Sequence, residues 1–159
     1  MEQNLLIQSL EGLDKLHGDL LELALNKTEV LKSGDMVRLK EITREEQIIL
    51  NYIDKLEATR NEVIREIAPD ISDPKLQDIL SIYNPIAQIK LTDLRQLLED
   101  KLVKLKEVNY LNQQLIYQSM QLLNVSLSMI RPTDKQYNYA MPGKKTSVKN
   151  SSRLFNSEV

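Results

Sequence analysis

The sequence predicts an all-α protein: an elongated antiparallel helical hairpin or bundle, coiled-coil-like in its packing, with a long C-terminal helix and a flexible tail. Three observations carry this. The first is composition. Only 4% of the 159 residues are aromatic, with no Trp and one Phe, and four Gly and five Pro are the whole complement of helix breakers. Leucine and charged residues dominate instead, which favours long helices over a sheet. The second is periodicity, because apolar residues recur at steps of three and four through most of the chain. The third is length. The last periodic segment runs from about 86 to 130, and at ~1.5 Å per residue it spans roughly 65 Å. A compact globule has no use for such a helix, whereas a hairpin or bundle does.

The elements follow in order. From about Glu2 to Lys32, Leu6, Leu13 and Leu20 alternate with Leu10, His17, Ala24 and Leu31 in one helical stripe. Ser33, Gly34 and Asp35 interrupt it. Gly34 suits the left-handed residue that ends a helix, and Asp35 suits the N-cap of the next. The second helix, about Met36 to Ala68, has the stripe Leu39, Ile42, Ile49, Ile53, Leu56, Val63 and Ile67, with Glu46 and Arg60 as polar intrusions. Pro69 stops it. In the connector "PDISDP", Asp73 before Pro74 predicts an N-cap with Pro at the first helical position, opening a short helix to about Tyr83. The long helix starts after Asn84 and Pro85. Beyond Arg131 the period fails, which divides the chain into a helical domain over 1–131 and a flexible basic tail over 132–159.

Charge excludes some functions. Residues 1–130 hold 15 Lys/Arg against 21 Asp/Glu, and residues 131–159 hold six against two. An acidic body is not a nucleic-acid surface. There is no cysteine, hence no disulfide or thiolate metal site, in keeping with a reducing, cytoplasmic setting. The start, "MEQNLLIQSLEGLDK", has no basic leader followed by an apolar core. Nothing points to an enzyme, a metal or a cofactor. The single histidine, His17, lies on an apolar stripe and reads as a packed residue with a satisfied ring nitrogen. The glycines share no phosphate-loop spacing. Acidic pairs such as Glu45/Glu46 and Glu99/Asp100 read as solvated helix faces.

One stretch stands out. No charged residue occurs between Glu107 and Arg131, and 13 of those 23 positions are apolar or tyrosine. Seven Asn or Gln among them exclude a membrane span, since unpartnered amides are costly in hydrocarbon. On a helical wheel, Val108, Leu111, Leu115, Leu122, Val125 and Met129 form one cluster, which continues the register of Leu94 and serves the hairpin seam. Ile116, Met120, Leu123, Leu127 and Ile130 form a second, about a third of a turn away, with Asn112, Ser119 and Ser126 between the two. Two apolar stripes imply two packing partners. A third helix of this chain, a second copy in a homodimer, or another protein's amphipathic helix would each satisfy the second stripe. Uncharged amides and methionines adapt to varied partners without stranding a buried charge.

The chain resembles a known family. Leu16-His17, Leu20-Leu21, Lys27-Thr28-Glu29, Leu31-Lys32, Gly34, Leu39, Ile42 and Glu46-Gln47 fall in the order of the N-terminal pattern of the FlgN flagellar export chaperones, particularly the Gram-positive form. "LNQQLI" in a long uncharged helix, Pro132, the Tyr137/Tyr139 region and the ending "SRLFNSEV" also fit. The resemblance covers nearly the whole chain and is weakest over 69–90. It implies a cytosolic, non-catalytic chaperone. Such proteins bind the C-terminal helical region of the hook–filament junction proteins FlgK and FlgL, prevent premature assembly and deliver them to the export gate protein FlhA. The resemblance places client binding in the C-terminal region, which in this chain is Leu111, Leu115, Ile116, Met120, Leu123, Leu127 and Ile130. It associates gate docking with a tyrosine after the last helix, here Tyr137 or Tyr139. The family often has "YG" there, whereas this chain reads "YNYAM", which leaves both tyrosines as candidates. A structural or self-associating coiled-coil adaptor without a client is the alternative class.

Overall fold

The computed structural model describes residues 2–130; residues 131–159, with Tyr137 and Tyr139, lie outside the described residues. Among the described residues four α-helices occur in order: α1 (Glu2–Ser33), α2 (Met36–Ile67), the single turn α3 (Leu76–Ile79) and α4 (Pro85–Ile130), with a 3-10 turn over Leu80–Ile82 between the last two. Among the described residues there is no strand. The all-α, elongated expectation holds.

The α1–α2 corner forms for the reasons its sequence suggests. Gly34 has φ +74°, a left-handed conformation open to a residue without Cβ, and its N–H closes on the Val30 carbonyl at 3.0 Å. Asp35 then accepts a hydrogen bond from the Arg38 N–H at 3.0 Å, satisfying a donor that α2 itself leaves over. The two helices therefore fold back as an antiparallel pair. Lys27 of α1 pairs with Glu46 of α2, and the two side chains are largely buried, so the polar intrusion in the α2 stripe answers a cation on α1.

The connector differs from its expected form. The N-cap of α3 is Lys75 rather than Asp73, because Asp78 reaches back to accept the Lys75 N–H at 2.8 Å. A carboxylate three residues into the turn thus outcompetes the Asp–Pro signal. Ile79 and Tyr83 are buried here and close that end of the core. Asn84 caps α4 through the Ala87 N–H at 2.9 Å, with Pro85 as its first residue.

α4 returns parallel to α1. Lys90 pairs with Glu11, Lys101 with Asp14, and Asn112 with Ala24 and Thr28, so both numbers rise together. α1 lies in the middle. It packs on α2 along one side and on α4 along the other, while the backbones of α2 and α4 do not approach each other. The core is accordingly centred on Leu6, Leu10, Leu13, Leu20 and Ala24 of α1, met by Ile53, Val63 and Ile64 of α2 and Leu91, Leu98 and Leu105 of α4. His17 is buried with its Nδ1 2.8 Å from the Leu13 carbonyl, the packed histidine its stripe position suggests.

Candidate functional site

The site is built on α4 and on what α1 fails to cover. The buried residues of α4 are Leu91, Leu98, Leu105 and Asn112, each seven apart. A strict seven-residue repeat keeps one row facing the partner helix, as in a coiled coil. α1 lies over that row. The fourth member is polar and only 3% exposed. Its Nδ2 donates to the Ala24 carbonyl at 2.8 Å, and its Oδ1 accepts from the Thr28 hydroxyl at 2.7 Å. Both ends of the amide are thus satisfied inside the interface, as a buried polar group requires. Asn112, expected between the two stripes, belongs instead to the seam. Its seven-residue step from Leu105, continuing the row from Leu91, was the available signal.

The next members of the row, Ser119 and Ser126, have no α1 above them. After Thr28, α1 has five more helical residues, to Ser33; after Asn112, α4 has eighteen, to Ile130. The excess is about 13 residues, or roughly 20 Å of helix. Every residue from Ile116 to Ile130 is exposed.

This settles where the expected site residues stand. Ile116, at 38% exposure, begins a row that reaches 76% at Ile130, with Met120, Leu123 and Leu127 between. Leu111 is exposed and Leu115 half-buried. The structure brings all seven onto the distal half of one helix. The other cluster is corrected: Val108 and Leu115 flank the seam, but Leu122, Val125 and Met129 are exposed and line no hairpin, because α1 has already turned at Gly34. The projecting end therefore carries both apolar rows.

It carries no formal charge. Ser119 and Ser126 turn their hydroxyls back to the Leu115 and Leu122 carbonyls, each at 2.9 Å, so these donors are spent within the helix. Several charged groups around the nearby α1–α2 corner are paired with one another, Lys32 with Glu29 and Arg38 with Glu41 and Glu45. The hydrogen bond that the Arg38 guanidinium donates to Glu41, with the charge of Glu45, pushes its pKa above the ordinary value and keeps it cationic. Among the described residues no group of acidic, histidine or cysteine side chains has metal-site spacing, and no helix is long and apolar enough to cross a membrane. An open groove of about 580 Å³ lies at the other end, lined by Leu13, His17, Arg60, Leu76, Arg95 and Leu102 among others. Nothing there resembles a nucleophile with its base.

Fold and surface together define an all-helical protein that holds out an uncharged, apolar helix end suited to another helix. The chain belongs to the FlgN family, whose model, described as FlgN protein, matches residues 1–147. It is also similar to the uncharacterized protein YvyG of Bacillus subtilis (strain 168), with 30% identity over 163 aligned positions that cover the whole of both chains. No solved structure matches it. FlgN is a family of flagellar export chaperones, not of enzymes, and a general role in flagellum biogenesis follows from membership.

Proposed function

We propose that this protein acts in the cytoplasm as the export chaperone of hook–filament junction proteins of the FlgK and FlgL kind. It seats the C-terminal helical region of the client on the projecting end of α4, which keeps that region from assembling prematurely. It then delivers the client to the export gate protein FlhA, with Tyr137 or Tyr139 in the docking segment. The observation that carries this reading is the exposure of Ile116, Met120, Leu123, Leu127 and Ile130 on one uncharged helix end. So large an apolar row left in water marks a binding surface.

Leu123→Ser with Leu127→Ser tests it. Both side chains are more than half exposed, so folding should change by no more than about 1 kcal/mol in total. Binding of a client's C-terminal helix, followed by titration calorimetry, should fall at least about a hundredfold, since each leucine contributes roughly 1.5–3 kcal/mol when buried. Undiminished binding would move the client elsewhere. Loss of helicity by circular dichroism would show that the row supports the fold. An adaptor without a client would instead bury the same row against a second copy, and would sediment as an obligate dimer.

A further inference from the structure

The proposed client face leaves open where on the projecting end a helix lies, and the register of α4 narrows it. On a helix, each residue is surrounded by its neighbours three and four positions away. Ser119 is thus ringed by Leu115, Ile116, Leu122 and Leu123. Ser126 is ringed by Leu122, Leu123, Met129 and Ile130. All but the half-buried Leu115 are exposed. Each serine is short and has its hydroxyl tied to its own helix. The register therefore sets two short side chains, seven residues apart, between two rows of large apolar ones. They lie on the row Leu91, Leu98, Leu105 and Asn112, which seats α1.

We propose that the client helix lies in line with α1, as its continuation on the same row of α4, with two large apolar side chains, seven residues apart, seated over Ser119 and Ser126. This rests on the reading that the projecting end binds the client, and it deepens that reading by fixing the pose. Three observations select this occupant. The face is continuous with the α1–α4 interface, whose seven-residue row runs on past the end of α1. The face begins at the α1–α2 corner, where Gly34 turns the chain away, and about 13 described residues of α4, or some 20 Å, run past that corner to Ile130. The face carries no charge from Val108 to Ile130, so the partner's buried row is apolar as well. In this pose Leu122 and Leu123 flank the client from either side, whereas Met120 and Leu127 lie at its edge.

The test replaces the two short side chains. Ser119→Leu and Ser126→Leu add apolar surface and take away the space a client side chain needs. If apolar area alone held the client, these changes would strengthen binding. If the pose is right, they weaken it, by about tenfold or more each, as overpacking does. Gln121→Leu, on the opposite face, serves as control and should stay within about threefold of the parent protein, as a site outside the contact does. The probe is a synthetic peptide of a junction protein's C-terminal helix, measured by fluorescence anisotropy with the full-length chain. Because the chain has no cysteine, Ser33→Cys accepts a single spin label at the end of α1. In-line seating should broaden the peptide's resonances at one terminus only.

Weakening by both serine variants, with one-ended broadening, supports the pose. Binding unchanged or tightened by them, while Leu123→Ser with Leu127→Ser still abolishes it, overturns the pose and leaves the client surface in place. Insensitivity to all four substitutions overturns both. If the protein without peptide is a dimer that the serine variants disperse, a second copy is the occupant and the proposal fails. It fails equally if truncation after Arg131 restores full affinity to the serine variants, since the protein's own tail would then be the segment they affect.

Discussion

Asn112 should carry more of the stability of this protein than its polarity suggests. Asn112→Ala removes two buried hydrogen bonds, to the Ala24 carbonyl and from the Thr28 hydroxyl. Each contributes a net of about 1 kcal/mol. The lost side-chain volume costs on the order of a further 1 kcal/mol at a site only 3% exposed. One contact softens the loss: Thr28 Oγ1 also lies 3.2 Å from the Ala24 carbonyl, so its proton has a second acceptor. A net loss of about 2–3 kcal/mol follows. Urea unfolding followed by far-ultraviolet circular dichroism reads this directly, as a fall in midpoint of about 1–1.5 M at a slope near 2 kcal/mol/M. Asn112→Leu should behave in the opposite sense. It extends the leucine row of Leu91, Leu98 and Leu105, and apolar replacements of buried polar groups are often neutral or stabilising, so it should stay within about 1 kcal/mol of the parent or exceed it. Thr28→Val should cost about 1 kcal/mol on its own and nearly nothing in the Asn112→Leu background, because the hydroxyl no longer has an amide to serve. An Asn112→Ala midpoint within about 0.3 M of the parent would refute the reasoning, since the amide would then be no part of the seam.

Three further outcomes follow from the same geometry. Gly34→Ala should destabilise by about 1–2 kcal/mol because a Cβ is strained at φ +74°, whereas Gly18→Ala, whose new Cβ would meet only the end of the Lys101 side chain, no nearer than 3.6 Å, should stabilise by about 0.5–1 kcal/mol; thermal melts of the pair separate backbone strain from helix propensity. Client affinity should change by less than roughly tenfold between about 0.05 and 0.5 M NaCl, because no formal charge lies on the face, and calorimetry should give a negative heat-capacity change; a collapse at high salt would shift the contact to Lys104, Lys106 or Glu107. Truncation after Arg131 should leave the client complex intact and weaken capture by FlhA, read as co-purification with each partner; loss of client binding would contradict that division.

The sequence by itself determined what is local. Gly34 and Asp35 end one helix and start the next through contacts within four residues, so the corner was legible. The stripes of α1 and α2 were legible for the same reason, since burial follows a period that one helix carries alone, and the family pattern lay in the residues themselves. The Asp73–Pro74 signal misled at short range, because Asp78 offers a competing carboxylate that spacing alone does not rank. What only the tertiary structure decided is where α1 ends against α4. Leu115 and Leu122 are seven apart on one row and chemically identical, yet the first is half-buried and the second exposed. The difference lies in another helix, which has turned away at Gly34 by the level at which Leu122 needs a partner. Asn112 makes the same point from the opposite side. Nothing within its own helix explains a buried amide; the reason is a hydroxyl and a carbonyl more than 80 residues earlier, brought level with it by the parallel register of α1 and α4. Periodicity reveals that a face is apolar, but the length and register of the neighbouring helix decide whether that face becomes core or stays exposed for a partner.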